Sequence, residues 1–182
     1  MKGAVFTEFI EFVEENYGFD TADVMLEPEE GLEKVYTQGG NYPTEELIGL
    51  ILSVNETEKV EVEEIVYNFG IYLFPKLVRM APFLIQDSNK TLDVISKVDS
   101  YIHIEVKKLY PEAELPKFKV DKLDSNYLEI EYLSEKRLEI LAKGLMMGVA
   151  KHFNETIEVE LEVIAEEPHT VLFKVRKIVD AH

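Results

Sequence analysis

Apolar residues recur at helical steps through the first 110 positions of the chain and then begin to alternate. Val5, Phe6, Phe9, Ile10, Phe12 and Val13 form one stripe, Leu47 to Leu52 a second, and Val62 to Met80 a third, each at the three- and four-residue spacing of an amphipathic helix. Pro75 lies inside the third segment, where a missing amide donor and a crowded preceding turn predict a kink or a new start. Leu92, Ile95, Val98, Ile102, Val106 and Leu109 predict a further helix from Thr91 to Tyr110. Beyond Pro111, Leu128, Ile130 and Tyr132 alternate with Glu129 and Glu131, and Ile157, Val159, Leu161 and Val163 repeat the pattern. The run from Glu166 to Thr170 reads as a turn, and Val171, Phe173 and Val175 continue the alternation. One helix, from about Glu135 to Phe153, interrupts these strands. The expected fold class is therefore α+β, a helical N-terminal part packed on a C-terminal antiparallel sheet with one inserted helix. No internal repeat, linker or low-complexity tract divides the chain.

Composition narrows the partners. A chain of 182 residues that is 46% hydrophobic can bury one sizeable core, divided at most into subdomains. Its 36 acidic against 19 basic side chains leave a net charge of -17, which repels nucleic acid and anionic membranes and suits a basic protein surface. With no cysteine there is no disulfide framework and no thiolate-held metal, which is compatible with a reducing cytoplasm. Glu8 and Glu11 interrupt what would be the apolar stretch of a signal peptide, and no membrane span is expected elsewhere.

Two places invite chemistry. His103 falls on the flank of the Thr91–Tyr110 stripe, with Asp99, Val106 and Lys107 one turn away and Tyr110 two turns on. One ring nitrogen could face an apolar cavity while the other meets a polar partner, the usual presentation of a metal-binding imidazole, although a structural histidine fits the same place. His152, His169 and His182 fall on an exposed helix end, a turn and the terminus. The second place is the strand-to-helix junction from Tyr132 to Arg137. Tyr132 and Ser134 share a face of an extended chain, and Lys136 and Arg137 open the helix that follows, a set suited to a carboxylate or phosphate. Ser134 as a plain helix cap explains the junction equally. Gly144 and Gly148, four apart, allow close approach of a second backbone or of a flat ligand.

Taken together, Met1-Lys-Gly, Phe69-Gly-Ile-Tyr-Leu-Phe74, Ile102-His-Ile-Glu-Val-Lys-Lys-Leu-Tyr-Pro111, Leu115-Pro116 and Tyr132-Leu-Ser134 resemble, in order and spacing, the haem nitric oxide/oxygen binding (H-NOX) family, similar to the sensor domain of soluble guanylate cyclase. The resemblance spans nearly the whole chain and implies a single domain over residues 1–182, with a helical subdomain of roughly residues 1–60 and a second, residues 61–182, that carries the haem-ligating helix and the sheet. It implies a b-type haem between the two parts, with His103 as the iron's axial ligand, Tyr132 and Ser134 on the propionates, and Pro116 pressing on the porphyrin. The arginine of the family's Tyr-x-Ser-x-Arg motif is replaced by Lys136, with Arg137 one residue on. Lysine gives a compact charge without arginine's fork, and either Lys136 or Arg137 could serve. The apolar register of Leu138, Leu141 and Leu145 favours Lys136.

Family members that hold oxygen stably carry a tyrosine nine positions beyond the motif tyrosine, where this chain has Leu141. Val5, Phe9, Leu73, Leu77 and Leu145 match other distal positions and offer no hydrogen-bond donor. Bound oxygen needs such a donor and nitric oxide far less, so the resemblance implies a sensor of nitric oxide that also binds carbon monoxide. It further implies that nitric oxide weakens the bond from iron to His103 and that the change of shape is read by an effector, such as a histidine kinase, a diguanylate cyclase or a chemotaxis receptor. No phosphate loop or nucleophile set argues for an enzyme. Two alternatives stand: a haem-free interaction module of the same fold that binds another apolar carboxylate, and an oxygen-carrying or redox haem protein, against which Leu141 speaks.

Overall fold

A computed structural model describes residues 1–28, 34–86 and 88–178. His182 lies outside the described residues. The first part is helical: α1 (Gly3–Tyr17), α2 (Phe19–Met25), α3 (Thr44–Glu58) and α4 (Val62–Met80). The α1 stripe buries Phe6, Phe9, Phe12 and Val13 against Leu47, Leu50 and Val54 of α3 and Ile65, Phe69 and Leu73 of α4. Gly18, at φ 95°, permits the abrupt passage from α1 to α2. Helix α4 runs through Pro75 without restarting, because Phe69, Leu73 and Phe74 bury its inner side and hold the two halves in line.

The segment predicted as one helix from Thr91 to Tyr110 is broken. It forms α5 (Thr91–Ser96), a π-helical turn (Val98–Ile102) and α6 (His103–Leu109). In that turn the Ile102 amide donates to the Lys97 carbonyl at 3.1 Å, a step of five residues. One added residue rotates everything downstream by about 100° relative to the α5 stripe. Ile102 is buried, but Leu109, predicted on the same face, is 60% exposed, and α6 buries no residue completely.

Four antiparallel strands follow in the order β1-β2-β4-β3: β1 (Lys117–Leu123), β2 (Tyr127–Leu133), β3 (Thr156–Glu166) and β4 (His169–Ile178). The alternation of β2, β3 and β4 puts Leu128, Ile130, Tyr132, Ile157, Val159, Val171, Phe173 and Val175 on one face, under α5 and α7 (Glu139–His152). Each large side chain buried there contributes about 1.5–3 kcal/mol. Strand β1 was not predicted. It is a mostly exposed edge strand whose lysines obscure the pattern, with Phe118 half-buried opposite Tyr132.

Helix α7 begins at Glu139, four residues later than predicted. Lys136 and Arg137 therefore stand in the turn before it rather than on it, and Arg137 adopts a left-handed φ of 49°. The amides that a longer helix would have used are bound instead by the hydroxyls of Tyr132 and Ser134. Gly144 and Gly148 serve helix packing: a Cβ on Gly144 would lie 2.3 Å from the Tyr67 carbonyl oxygen, and one on Gly148 would lie 2.6 Å from Phe74 Cβ. Gly70 completes this seam between α4 and α7, with the Leu141 carbonyl oxygen 2.7 Å from where its Cβ would be.

Candidate functional site

His103 opens α6 directly after the π turn, half-buried, with a side-chain exposure of 16%. Its Nδ1 is buried and has no hydrogen-bond partner, since the nearest carboxylate oxygen, Asp99 Oδ1, stands 3.7 Å away. Asp99 accepts instead from the Phe118 amide at 3.2 Å, which ties the π turn to the start of β1. Burial pushes the imidazole pKa below its ordinary value, against the opposing pull of Asp99 and of the Pro116 main chain. The ring is thus held neutral at neutral pH, with a lone pair available to a metal. Its ring centre lies 5.7 Å from that of Phe118, the Phe118 ring centre 5.3 Å from that of Tyr132, and the Tyr132 ring centre 5.9 Å from that of Phe173, so the histidine is coupled through aromatic contacts to the sheet core.

Tyr132 is almost fully enclosed at 1% exposure, yet its hydroxyl is not idle. It accepts from the Leu138 amide at 3.2 Å and meets the Ser134 hydroxyl, while Ser134 Oγ accepts from the Lys136 amide at 3.2 Å. Burial raises the phenol pKa, so the group stays a neutral donor. The two cations of the junction part company. Lys136 Nζ turns towards the segment that holds Pro116 and pairs with Glu114 at 2.8 Å. Arg137 points to the β3–β4 hairpin and meets Glu166 at 3.4 Å. The structure thus gathers Tyr132, Ser134 and Lys136 on one side and leaves Arg137 on the other.

The six apolar positions come from three helices: Val5 and Phe9 from α1, Leu73 and Leu77 from α4, Leu141 and Leu145 from α7. Phe9, Leu73 and Leu141 are buried in the helical core, and Val5, Leu77 and Leu145 pack against it half-buried. Leu77 and Leu145 also pack on a third apolar cluster that contains Ile102, the residue before His103. None of the six side chains has a polar atom. The same cluster draws in Val98, Tyr101 and Val106, so the histidine segment and the apolar wall share one neighbourhood.

Several participants were beyond sequence reading. Glu114 as the partner of Lys136, and Asp99 as the partner of β1, depend on contacts between elements. A clasp joins Lys2 to Glu112, with Asn41 donating to the same carboxylate at 3.3 Å and the Lys2 ammonium 4.8 Å from the Tyr110 ring centre. No local signal connects residues 110 positions apart. His169, read as a turn residue, is buried at the start of β4, where its Nε2 lies 3.2 Å from Glu139. The sheet needs Thr170 and Val171 inside, and the strand begins early enough to take His169 with them. His152 does lie on an exposed helix end. An open groove of about 890 Å³ between α1, α4 and α7, lined by Phe12, Tyr72, Pro75 and His152 among others, includes neither His103 nor Tyr132.

The donor set fits a haem on three counts: a neutral histidine with an orphaned buried ring nitrogen, a hydroxyl pair with a cation suited to carboxylates, and an apolar wall. Among the described residues no group of three or more histidine and carboxylate side chains is arranged to hold a metal ion, and no helix is long and apolar enough to cross a membrane. Residues 2–161 match the haem-NO-binding family. Among solved structures, the unliganded Fe(II) H-NOX protein from K. algicida is 30% identical, with 100% of this chain and 99% of that one covered and a TM-score of 0.90. An H-NOX from Shewanella woodyi, solved in the Fe(II)CO state with IWP-051 bound, is 36% identical over 100% of this chain and 97% of its own, with a TM-score of 0.84. The S. oneidensis H-NOX protein in the Fe(II)NO state is 26% identical over 98% and 100%, with a TM-score of 0.86. A comparison with curated proteins gives no match.

Proposed function

Because the chain belongs to the haem-NO-binding family, whose members are haem-binding gas sensors, we propose that it senses nitric oxide at a ferrous b-type haem in the cytoplasm and passes the signal to an effector protein by a change of shape. When bound, the haem supplies a ferrous iron that takes a diatomic gas. His103 is the residue that would hold that iron. Its low proton affinity keeps the imidazole free for the metal without competition near neutral pH. Tyr132, Ser134 and Lys136 would hold the propionates, two neutral donors and one point charge, and Pro116 would bear on the ring from its place beside β1. Val5, Phe9, Leu73, Leu77, Leu141 and Leu145 exclude water from the other side.

The observation that carries nitric oxide selectivity is that wall: six apolar side chains from three helices and no side-chain hydrogen-bond donor among them. Oxygen binding depends on such a donor, whereas nitric oxide binding depends on one far less. The π turn and Asp99 place His103 between two elements, so a change at the histidine is carried directly to β1 and to the Pro116 segment. That link, with the clasp from Lys2 to Glu112, is the route by which this reading couples the histidine to the N-terminal helix. The reading assigns no reaction to the chain.

The reduced protein should bind nitric oxide and carbon monoxide and form no oxy complex in air. A stable oxy spectrum would contradict the selectivity. A second reading has one observation in its favour: Lys136 is already neutralised by Glu114, as it would be in a haem-free module of this fold. Absence of a Soret band after expression with ample haem would establish that reading instead.

A further inference from the structure

We propose that the outward face of α3 docks a basic, amphipathic helix of a partner protein. The inference does not rest on the gas-sensor reading. Helix α3 buries Thr44, Leu47, Leu50, Ile51 and Val54, and its opposite side carries Glu45, Ile48, Gly49, Leu52 and Glu56, all exposed. The steps from Glu45 to Ile48, Leu52 and Glu56 are those of a single helical stripe. Its centre is therefore apolar, with Ile48 42% and Leu52 45% exposed, and both its ends are acidic.

Gly49 gives the face its meaning. Glycine destabilises a helix interior relative to alanine, and it persists where a backbone must come close. Gly70, Gly144 and Gly148 each have that reason within the molecule, since a Cβ would fall 2.3–2.8 Å from a neighbouring atom. A Cβ on Gly49 would meet nothing within 4 Å. No contact inside the described chain accounts for it, and it lies between the two exposed apolar side chains, where an approaching helix would need the room.

Charge identifies the occupant. Residues 1–64 hold 17 of the 36 acidic side chains and 3 of the 19 basic ones, which is 14 of the 17 net negative charges. Of those three, Lys59 spends its ammonium on the Glu56 carbonyl at 2.6 Å, at the far end of the stripe. A second copy would bring an equally acidic lobe against this one, and an anionic membrane would be repelled. A helix with an apolar stripe between lysines or arginines would cover Ile48 and Leu52, meet Glu45 and Glu56 with its cations, and use the gap at Gly49.

The test uses the full-length chain and a fluorescent leucine-lysine peptide patterned as an amphipathic helix, with a scrambled peptide of the same composition as control. The patterned peptide should bind at least about tenfold more tightly than the scrambled one. Gly49→Gln should raise the thermal midpoint of the free protein by about 2–4 °C and weaken the peptide about tenfold. Leu52→Ser should weaken it similarly. Equal binding of the two peptides, or a Gly49→Gln variant that binds as well as the native chain, would overturn the proposal. So would a native dimer that Gly49→Gln dissociates in sedimentation, or binding to phosphatidylglycerol vesicles that competes with the peptide. The Soret band, recorded on each sample, should be unchanged, which separates failure here from failure of the haem reading.

Discussion

The two sides of the candidate site are built by different forces. The apolar wall is a piece of the helical core: Phe9, Leu73 and Leu141 are buried because their helices cannot fold without hiding them. The histidine side is held by particular polar contacts, Asp99 to the Phe118 amide, Tyr132 to the Leu138 amide and Lys136 to Glu114, most of them on turns and an edge strand. Under the proposed function, the first side would couple gas selectivity to stability, so that few changes there come without cost. The second would leave the proposed ligation and anchoring adjustable by single substitutions that barely touch the core.

That contrast can be broken most forcefully at Phe9, which is fully buried in ring contact with Phe12 and Phe69. Phe9→Ala should cost about 3–5 kcal/mol in denaturant unfolding, far more than any change on the histidine side. Next in size, Leu141→Tyr should add one donor worth on the order of 1–3 kcal/mol and raise oxygen affinity by roughly ten- to a hundredfold, read from an oxygen titration of the ferrous protein. On the other side, Lys136→Ala should speed haem loss to an acceptor protein by about three- to tenfold, while Arg137→Ala leaves it unchanged. Glu114→Gln frees Lys136 and should slow that loss. The reverse order for Lys136 and Arg137 would show that the arginine is the anchoring cation.

The smallest effect concerns pH. Lys2, the Glu112 backbone and Asn41 hold the Glu112 carboxyl down to about 2, so its contribution to stability is present above the ordinary carboxylate range and fades as pH falls towards 2. Glu112→Gln should lower stability slightly at pH 7, flatten the acid limb between about pH 4.5 and 2.5, and converge on the native chain as pH falls towards 2. Urea midpoints measured across that range, in the native chain and the variant, will show the difference.

What the sequence made legible follows the same division. Period alone revealed α1, α3, α4 and three of the four strands, because those elements are amphipathic and their burial leaves a trace at every turn. The α+β class followed from them. Strand β1 escaped because an exposed edge imposes no alternation, and Leu109 was misplaced because a single added residue in the π turn has no local signature. The late start of α7 likewise depends on two hydroxyls capturing amides, an event that Tyr132 and Ser134 permit but do not dictate. Residues of the apolar wall were accessible from the helical pattern and the family resemblance together. The partners of Lys136, Asp99 and Lys2 were not, since each lies on another element.

The central claim is that His103 holds the iron, and one spectrum tests it. The orphaned Nδ1 and the depressed proton affinity of this half-buried ring predict that His103→Gly loses the five-coordinate ferrous-histidine absorption and regains it on addition of free imidazole. A His103→Gly variant with an unaltered ferrous spectrum would contradict the account at its root.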